Sequence, residues 1–237
     1  MAPLGLGVGF YELGPTLEQG GKVWDPAFLG EARILHWYKF NKDITTNETG
    51  ITKWGDALPL QNHLQPSVSN DANEQPELTA AGTVFFEQAT DSLIFESPLT
   101  LTTFSIYLKH KFSAGETVAE HRLIEGSHDY IEFYSPTEIR INIGAVHKIT
   151  IPEIIEGEEY VFGIERDSNG DIKAYKDNVV GSAAGGTSNN ISPSTANDLT
   201  QIGDPLNESE VFEIIICSSA LTASQRDALY QYLSQVG

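Results

Sequence analysis

Two stretches of the sequence contain side chains of the types that bind sugars. Trp54, Asn62 and His63 lie in a polar stretch, and Tyr130 and Tyr134 lie in the run "DYIEFYSP". Aromatic rings stack on the apolar faces of sugar rings, and amide or carboxylate groups form hydrogen bonds with sugar hydroxyls. Because most aromatic residues of a β protein belong to its core, we select Trp54, which is surrounded by polar residues, and Tyr134 as the predicted glycan-binding residues.

The run "DSNGD" places oxygen-bearing side chains at alternate positions, at Asp167, Asn169 and Asp171. This spacing is similar to the beginning of a Ca²⁺-binding loop, but the distal glutamate of such a loop is missing. The Asn169–Gly170 pair also supplies the positive φ angles of a tight hairpin turn. We therefore predict a turn and no metal site at these residues.

The sequence contains no recognisable arrangement for nucleophilic catalysis. No Gly-x-Ser-x-Gly motif occurs and the histidines are scattered; His110 and His147 are predicted on the solvent faces of strands. Cys217 is the only cysteine, so the chain cannot form an internal disulfide. It lies in an isoleucine-rich run without a basic neighbour that would lower its pKa, which predicts a buried and unreactive thiol. We predict no catalytic residues.

The charge of the chain is strongly negative. Asp and Glu number 33 against 14 Lys and Arg, which gives a formal net charge of −19. Binding to nucleic-acid backbones depends on clustered Lys and Arg, so we expect no nucleic-acid partner. No segment has the roughly 18 consecutive apolar residues of a membrane helix, and the N-terminus lacks the pattern of a secretory signal. We therefore expect no membrane partner and synthesis in a cytoplasm.

Most of the chain from residue 31 onward has the pattern of short strands. Apolar and polar residues alternate in runs such as "LTTFSIYLKHKF", "DYIEFYSPTEIRINI" and "EYVFGIERDSNGDIKAYKDN". This period of two is typical of half-buried strands. Residues 41–77 and 181–198 lack the pattern and are predicted as long irregular connections.

The last residues of the chain change to the pattern of a helix. Thr222 followed by Gln225 forms a capping box, and Leu229, Leu233 and Val236 form one apolar stripe. A helix of about four turns is marginally stable alone, so the stripe must pack on the strands. The pattern predicts an all-β fold of two packed antiparallel sheets, covered by a short C-terminal helix.

Residues 1–30 differ from the rest of the chain and are predicted to form an extended N-terminal arm. The segment is rich in glycine, which disfavours regular helix and strand, yet it carries large apolar residues that a free linker lacks. Two alternatives remain: the arm packs along its own domain, residues 31–237, or it docks on a neighbouring subunit, which includes the case of a homo-oligomer. The predicted partner-docking residues are Phe10, Tyr11, Leu13, Val23, Trp24 and Phe28.

Several runs within residues 35–237 resemble the concanavalin A-like lectin/glucanase superfamily, and in particular its laminin-G-like modules. "GTVFFEQATDSLIFES" is similar to the first sheet-forming pair of that family, and "FSIYLKHKF" is similar to its Phe-x-Ile-x-Trp strand, with Tyr107–Leu108 in place of the usual Trp. "ERDSNGDIKAYKDN" is similar to its Tyr-x-Asp-Gly hairpin, with Asn178 in place of Gly. The tail "FEIIICSSALTASQRDALYQYL" resembles the strand and short helix that close many such modules. The resemblance implies a jelly-roll sandwich with a C-terminal capping helix.

The glycine-rich run "GLGVGFYELG" resembles modules carried on tailed-phage particles. The resemblance implies a non-enzymatic virion decoration protein, made in the host cytoplasm and displayed on the virion surface. Its arm would dock on capsid or tail proteins. The alternative is a carbohydrate-binding module that recognises host surface glycans at the rim of the sandwich or on its concave sheet.

Two further expectations follow from the resemblance to this superfamily. Its glucanases carry Glu-x-Asp-x-x-Glu or Glu-x-Asp-x-Glu on one strand, and neither motif occurs in this chain, so no enzymatic activity is expected. Laminin-G-like modules often bind Ca²⁺ at the rim of the sandwich, which leaves a rim Ca²⁺ site open. No other cofactor is expected.

Overall fold

The computed structural model describes residues 29, 33–58, 61–66, 74–88, 90–184, 197–203 and 208–237. Within these residues the chain forms β-strands followed by one α-helix at its C-terminal end. The elements are β1 (Ile34–Tyr38), β2 (Ile44–Thr46), β3 (Ile51–Trp54), β4 (Leu64–Gln65), β5 (Glu77–Leu78), β6 (Val84–Phe86), β7 (Ser92–Leu99), β8 (Phe104–Phe112), β9 (His121–Glu125), β10 (Tyr130–Ser135), β11 (Glu138–Asn142), β12 (Val146–Thr150), β13 (Glu159–Arg166), β14 (Ile172–Lys176), β15 (Val179–Val180), β16 (Ser182–Ala183), β17 (Leu199–Gly203), β18 (Ser209–Cys217) and α1 (Ala223–Ser234).

The strands pair in an antiparallel manner and form two sheets. Sheet A has the order β15-β14-β13-β8-β18-β6-β5, and β1 also pairs with β18. Sheet B has the order β16-β12-β11-β10-β9-β17-β7-β4-β3-β2. The predicted all-β sandwich of two antiparallel sheets with a short C-terminal helix is confirmed.

The main hydrophobic core lies between the two sheets. Alternate residues of β8 and β13 in sheet A pack against alternate residues of β10 and β11 in sheet B, in one buried cluster. At its centre the ring of Phe133 lies 4.6 Å from that of Phe162 and 5.3 Å from that of Phe112, between ring centroids. Burying one such side chain contributes about 1.5–3 kcal/mol, so this layer is the main source of the stability of the sandwich.

A second, smaller cluster lies on the outer face of sheet A, where α1 covers the strands. Leu229 and Leu233 of the helix are fully buried there against outward residues of β8, β13 and β18, and Val236 is partly buried. The helix begins as predicted: Thr222 N donates to Gln225 Oε1 at 3.0 Å, and the Thr222 side chain accepts from Gln225 N. Because α1 buries its apolar stripe in this way, both faces of sheet A are covered where the helix lies.

Three predictions about local structure are wrong. Residues 41–77 are not one irregular connection, because β2, β3 and β4 lie within them and β5 begins at Glu77; these strands are short and polar, and only a few of their residues point into the core. Residues 181–198 are not wholly irregular, since β16 lies within them and pairs with β12. His110 and His147 are not on solvent faces, since both are buried. His110 continues the inward series of Ile106 and Leu108, and His147 pairs with the inward residue Ile141.

Apart from Leu29, which packs on the second cluster, the predicted arm falls outside the described residues, and so do all of its predicted docking residues (Phe10, Tyr11, Leu13, Val23, Trp24 and Phe28). The division into an arm and a domain therefore stays a prediction. Among the residues that the structure describes, no helix has the length and apolar character needed to cross a membrane.

Candidate functional site

The outer face of sheet B carries a cluster of charged and aromatic side chains. Residues Ile131, Phe133, Ile139 and Ile141 point into the core, and the alternate residues of the same strands therefore point outward. The register places these outward residues side by side on neighbouring strands. We call this set the outer cluster; it consists of Arg122 and Glu125 on β9, Tyr130, Glu132 and Tyr134 on β10, Glu138 and Arg140 on β11, and Lys148 on β12.

Ion pairs and cation–π contacts organise the outer cluster. The Arg122 guanidinium donates to Glu125 Oε2 at 2.6 Å, and Arg140 Nε donates to Glu138 Oε1 at 2.7 Å. The Arg140 guanidinium also lies over the ring of Tyr134. These contacts hold the long arginine side chains along the sheet and fix the positions of the aromatic rings beside them.

An arginine also lies over the ring of Tyr130, and a buried carboxylate, Glu132, lies between the two arginines. Arg122 lies 5.1 Å from the Tyr130 ring centroid. Glu132 stands between Arg122 and Arg140 in the register of the sheet, with an Arg140 nitrogen 4.0 Å from its carboxylate. Burial raises the pKa of Glu132, while Arg140 and Arg122 act in the opposite direction.

The outer cluster can form the contacts that sugar recognition requires. Tyr130 and Tyr134 are half-buried, so part of each ring stays accessible. The carboxylates can accept hydrogen bonds from sugar hydroxyls, and the guanidinium groups can donate to the same hydroxyls. Side chains of these types on an open sheet face can bind a polyol, and such binding does not require a cavity.

A chemically similar group of side chains lies on the opposite sheet, beneath α1, and we call it the covered cluster. It consists of Tyr107, Glu165, Tyr175 and Arg226. Tyr107 donates to Glu165 Oε1 at 2.7 Å, and an Arg226 nitrogen lies 3.1 and 3.3 Å from the two carboxylate oxygens. Glu165 is 4% exposed, and burial raises the pKa of Tyr175 to about 12. Tyr107 lies directly over Gly163, where a Cβ atom would be 2.2 Å from its ring.

Glu213, on β18, is the most deeply buried carboxylate of this side of the sandwich, with 1% exposure. It accepts hydrogen bonds from Trp37 Nε1 at 2.6 Å, Phe40 N at 3.0 Å and Tyr232 O–H at 2.7 Å. Burial raises its pKa, and the three donors act against that shift. Glu213 therefore ties β1 and α1 to β18 and is inaccessible to a ligand.

A cleft of about 300 Å³ lies near His36 and Asn62 at one end of the sandwich. His36 Nδ1 is 2.8 Å from Asp56 Oδ2, and Asp56 also accepts from Trp37 N and Leu58 N. Burial favours the neutral acid, but these bonds together hold the pKa of Asp56 below its usual range. The carboxylate is thus used to fix the local backbone.

The two glycan-binding residues predicted from the sequence lie in different environments. Trp54 is fully buried in the main core, with its Nε1 donating to Lys39 O at 3.0 Å, so the prediction that it stacks on a sugar is wrong. Its β-strand turns it inward, and the polar residues around it lie on the other side. Tyr134 belongs to the outer cluster, together with Tyr130, and its role as a sugar-binding residue stays a prediction.

The other residues considered for binding have structural partners. Asn62 Nδ2 donates to Ser97 O and its Oδ1 accepts from Ser97 N, both at 2.8 Å, and His63 Nδ1 accepts from Asp56 N at 3.1 Å. In the "DSNGD" turn, Asp167 Oδ1 accepts from Asn169 N and Asp171 N. No group of three or more metal-ligating side chains occurs among the described residues.

Cys217 is fully buried, and burial raises the pKa of its thiol to about 12. The predicted buried thiol is therefore confirmed. The arginines and glutamates of the outer cluster were missed by sequence reasoning. The alternation in "IEFYSPTEIRIN" does place Glu132, Tyr134, Glu138 and Arg140 on the face opposite the isoleucines, and this signal could have found them.

No protein-family model and no curated protein matches the chain. Solved structures do resemble it at low identity. Trypanosoma rangeli sialidase in complex with 2,3-difluorosialic acid aligns with a TM-score of 0.60 at 12% identity, over 95% of this chain and 36% of that chain. The binding domain of Paraclostridial Mosquitocidal Protein 1 aligns with a TM-score of 0.58 at 12% identity, over 84% of this chain and 52% of that chain.

The ligand binding domain of botulinum neurotoxin serotype D, solved with N-acetylneuraminic acid, aligns with a TM-score of 0.54 at 11% identity, over 84% of this chain and 50% of that chain. The chain thus spans between about a third and a half of the length of these structures. The likeness shows that these structures share the β-sandwich fold with this chain.

Proposed function

We propose that this chain is a non-enzymatic glycan-binding module that holds its ligand on the outer cluster of sheet B. The observation that carries the proposal is the exposed row of Tyr130 and Tyr134, flanked by guanidinium and carboxylate groups on the neighbouring strands. Structures with the same fold include domains solved with sialic acid or described as binding gangliosides, which supports carbohydrate as the ligand class.

A non-enzymatic role is supported by the positions of the two most deeply buried carboxylates in these clusters. Glu165 and Glu213 lie beneath α1, and each is bound by several donors of the protein itself. A carboxylate that acts as nucleophile or acid must reach the substrate. Glu213 cannot do so while the helix covers it. Glu165 borders a cleft of about 170 Å³, but it is 4% exposed and both of its oxygens are held by Arg226.

Glycan binding is tested on an array of oligosaccharides, with and without Ca²⁺, followed by titration of the strongest ligand. We expect Tyr134→Ala to weaken binding at least about fivefold, since an aromatic contact contributes about 1 kcal/mol beyond its buried area. Tyr175→Phe in the covered cluster is the control and should bind as the unaltered protein does. The absence of binding to every glycan, with and without Ca²⁺, would refute the proposal.

We also propose that the module is displayed on a phage particle, with residues 1–30 as its anchor. The glycine-rich apolar sequence of that segment and the acidic charge of the chain support this role. The two roles are compatible, because the proposed anchor and the outer cluster are separate parts of the chain. Removal of residues 1–30 should abolish incorporation into particles while glycan binding by residues 31–237 persists; undiminished incorporation would rule out the arm as the anchor.

A further inference from the structure

We infer that the outer cluster binds an uncharged sugar and discriminates against sugars that carry a carboxylate, such as sialic acid. This inference rests on the proposed function and specifies its ligand class. It departs from the ligand named for the botulinum neurotoxin domain of the same fold. The reason is the way in which the charges of the outer cluster are already paired.

Both arginines of the cluster are engaged by carboxylates of the chain. Arg122 is bound to Glu125 at 2.6 Å and Arg140 is bound to Glu138 at 2.7 Å. A sugar carboxylate would have to replace one of these charge-assisted hydrogen bonds, and the displaced glutamate would remain beside it as a like charge. A neutral sugar needs no such exchange, since a hydroxyl can add to the remaining donor and acceptor positions of an intact ion pair.

The position between the two arginines is occupied by a third carboxylate. Glu132 pairs across the sheet with Arg122 on one side and with Arg140 on the other. A ligand anion placed between the guanidinium groups would therefore lie next to Glu132, where partial burial reduces the screening of like-charge repulsion. The arrangement leaves no position at which an anion is surrounded by cations alone.

Lys148 pairs with Arg140 on the far side and completes the balance of charge. The outer cluster then contains the cations Arg122, Arg140 and Lys148 and three glutamates, so its net charge is zero. The whole chain carries −19. Its field repels anionic ligands before contact, whereas an uncharged ligand is unaffected.

The test compares neutral oligosaccharides with their sialylated counterparts on one array. The neutral oligosaccharide that binds most strongly and its sialylated form are then titrated by calorimetry. We expect the neutral member to bind at least tenfold more tightly. Its affinity should change less than twofold between 50 and 500 mM NaCl, because no charge is exchanged with the ligand.

A charge variant sharpens the test. Glu138→Gln removes the partner of Arg140, and it should shift the affinity ratio about fivefold toward the sialylated member; Glu116→Gln, outside the outer cluster, should leave the ratio unchanged. Equal or tighter binding of the sialylated member by the unaltered protein would overturn the inference while the glycan-binding function stands. Failure to bind any sugar would overturn the proposed function and the inference with it.

Discussion

On the outer face of sheet A, Arg226 lies over Tyr175 and binds Glu165; on the outer face of sheet B, Arg140 lies over Tyr134 and binds Glu138. The side chains are of the same types and make the same kinds of contact. The difference is that α1 covers the first group, so Tyr175 is 4% exposed, whereas Tyr134 is half-buried.

This difference teaches that the role of such a cluster depends on what lies above it. Beneath the helix, the carboxylates satisfy buried donors and connect α1 to the strands, so their loss affects stability. On the open face, Tyr134, Glu138 and Arg140 are only partly buried, so they contribute less to stability and are available to a ligand; Glu132 is the buried member of that cluster. We therefore expect mutations to separate the two clusters by whether they change unfolding or binding.

The largest difference is expected at the most buried carboxylate. Glu213→Ala should lower the free energy of unfolding by about 4 kcal/mol, because Trp37 Nε1, Phe40 N and Tyr232 O–H would lose their common acceptor in a buried position. Urea unfolding measures the change. Glu138→Ala on the open face, where the carboxylate is only partly buried, is the control and should change the unfolding free energy by less than about 1 kcal/mol. Equal losses in both variants would remove the distinction between the two faces.

Arg226 and Arg140 provide a second comparison. The effects on stability are smaller, and only one of the two variants is expected to change binding. Arg226→Ala should cost about 2 kcal/mol, since Glu165 would stay buried without its cation, and glycan binding should persist. Arg140→Ala should cost about 1 kcal/mol, because its main partner Glu138 is partly solvated and buried Glu132 is 4.0 Å away, and it should weaken glycan binding. If Arg226→Ala weakened binding as much as Arg140→Ala, the ligand would be sensitive to the covered side as well.

A third comparison concerns the core between the two faces, where His110 is fully buried among Phe112, Phe133 and Phe162. Burial lowers the pKa of His110 from 6.5 to about 3. The unfolded chain therefore binds a proton at this residue between pH 6.5 and about 3, while the folded protein does not. The stabilising contribution of neutral His110 is complete above pH 6.5 and is lost as the pH falls.

We expect His110→Phe to remove this dependence. Between pH 6 and 4 the unfolding free energy of the unaltered protein should fall by about 1.4 kcal/mol per pH unit more than that of the variant. Urea unfolding at a series of pH values measures both slopes. Parallel slopes would show that His110 is protonated in the folded protein, and the core would then contain a charge that the structure does not accommodate.

Sequence patterns predicted the elements of the fold more completely than the site. The capping box at Thr222 and Gln225 and the stripe of Leu229 and Leu233 are local features, and the structure has them as predicted. Short strands such as β4 and β5 contain two residues each, so they are too short to show a period. They form because longer neighbouring strands offer them free hydrogen-bonding groups.

The candidate site was predicted only in part, for a related reason. Tyr134 alternates with the inward residue Phe133 and could be assigned to an outer face. Trp54 has equally polar neighbours in the sequence, yet it lies in the core beside Tyr38, with ring centroids 5.9 Å apart. The composition of the surrounding segment does not predict whether one side chain points into the core, since its direction depends on the pairing of its strand.

The sequence by itself determined which of the longer segments become strands, where the final helix begins, and that the surface is acidic, because periodicity, capping and charge are properties of residues close together in the chain. Only the tertiary structure decided which sheet the helix covers. Arg226 and Glu165 are far apart in the sequence and in contact in the structure, and the periodicity of neither segment predicts that contact. The covered cluster and the outer cluster are alike in composition, and the placement of α1 alone makes one structural and leaves the other open to a ligand.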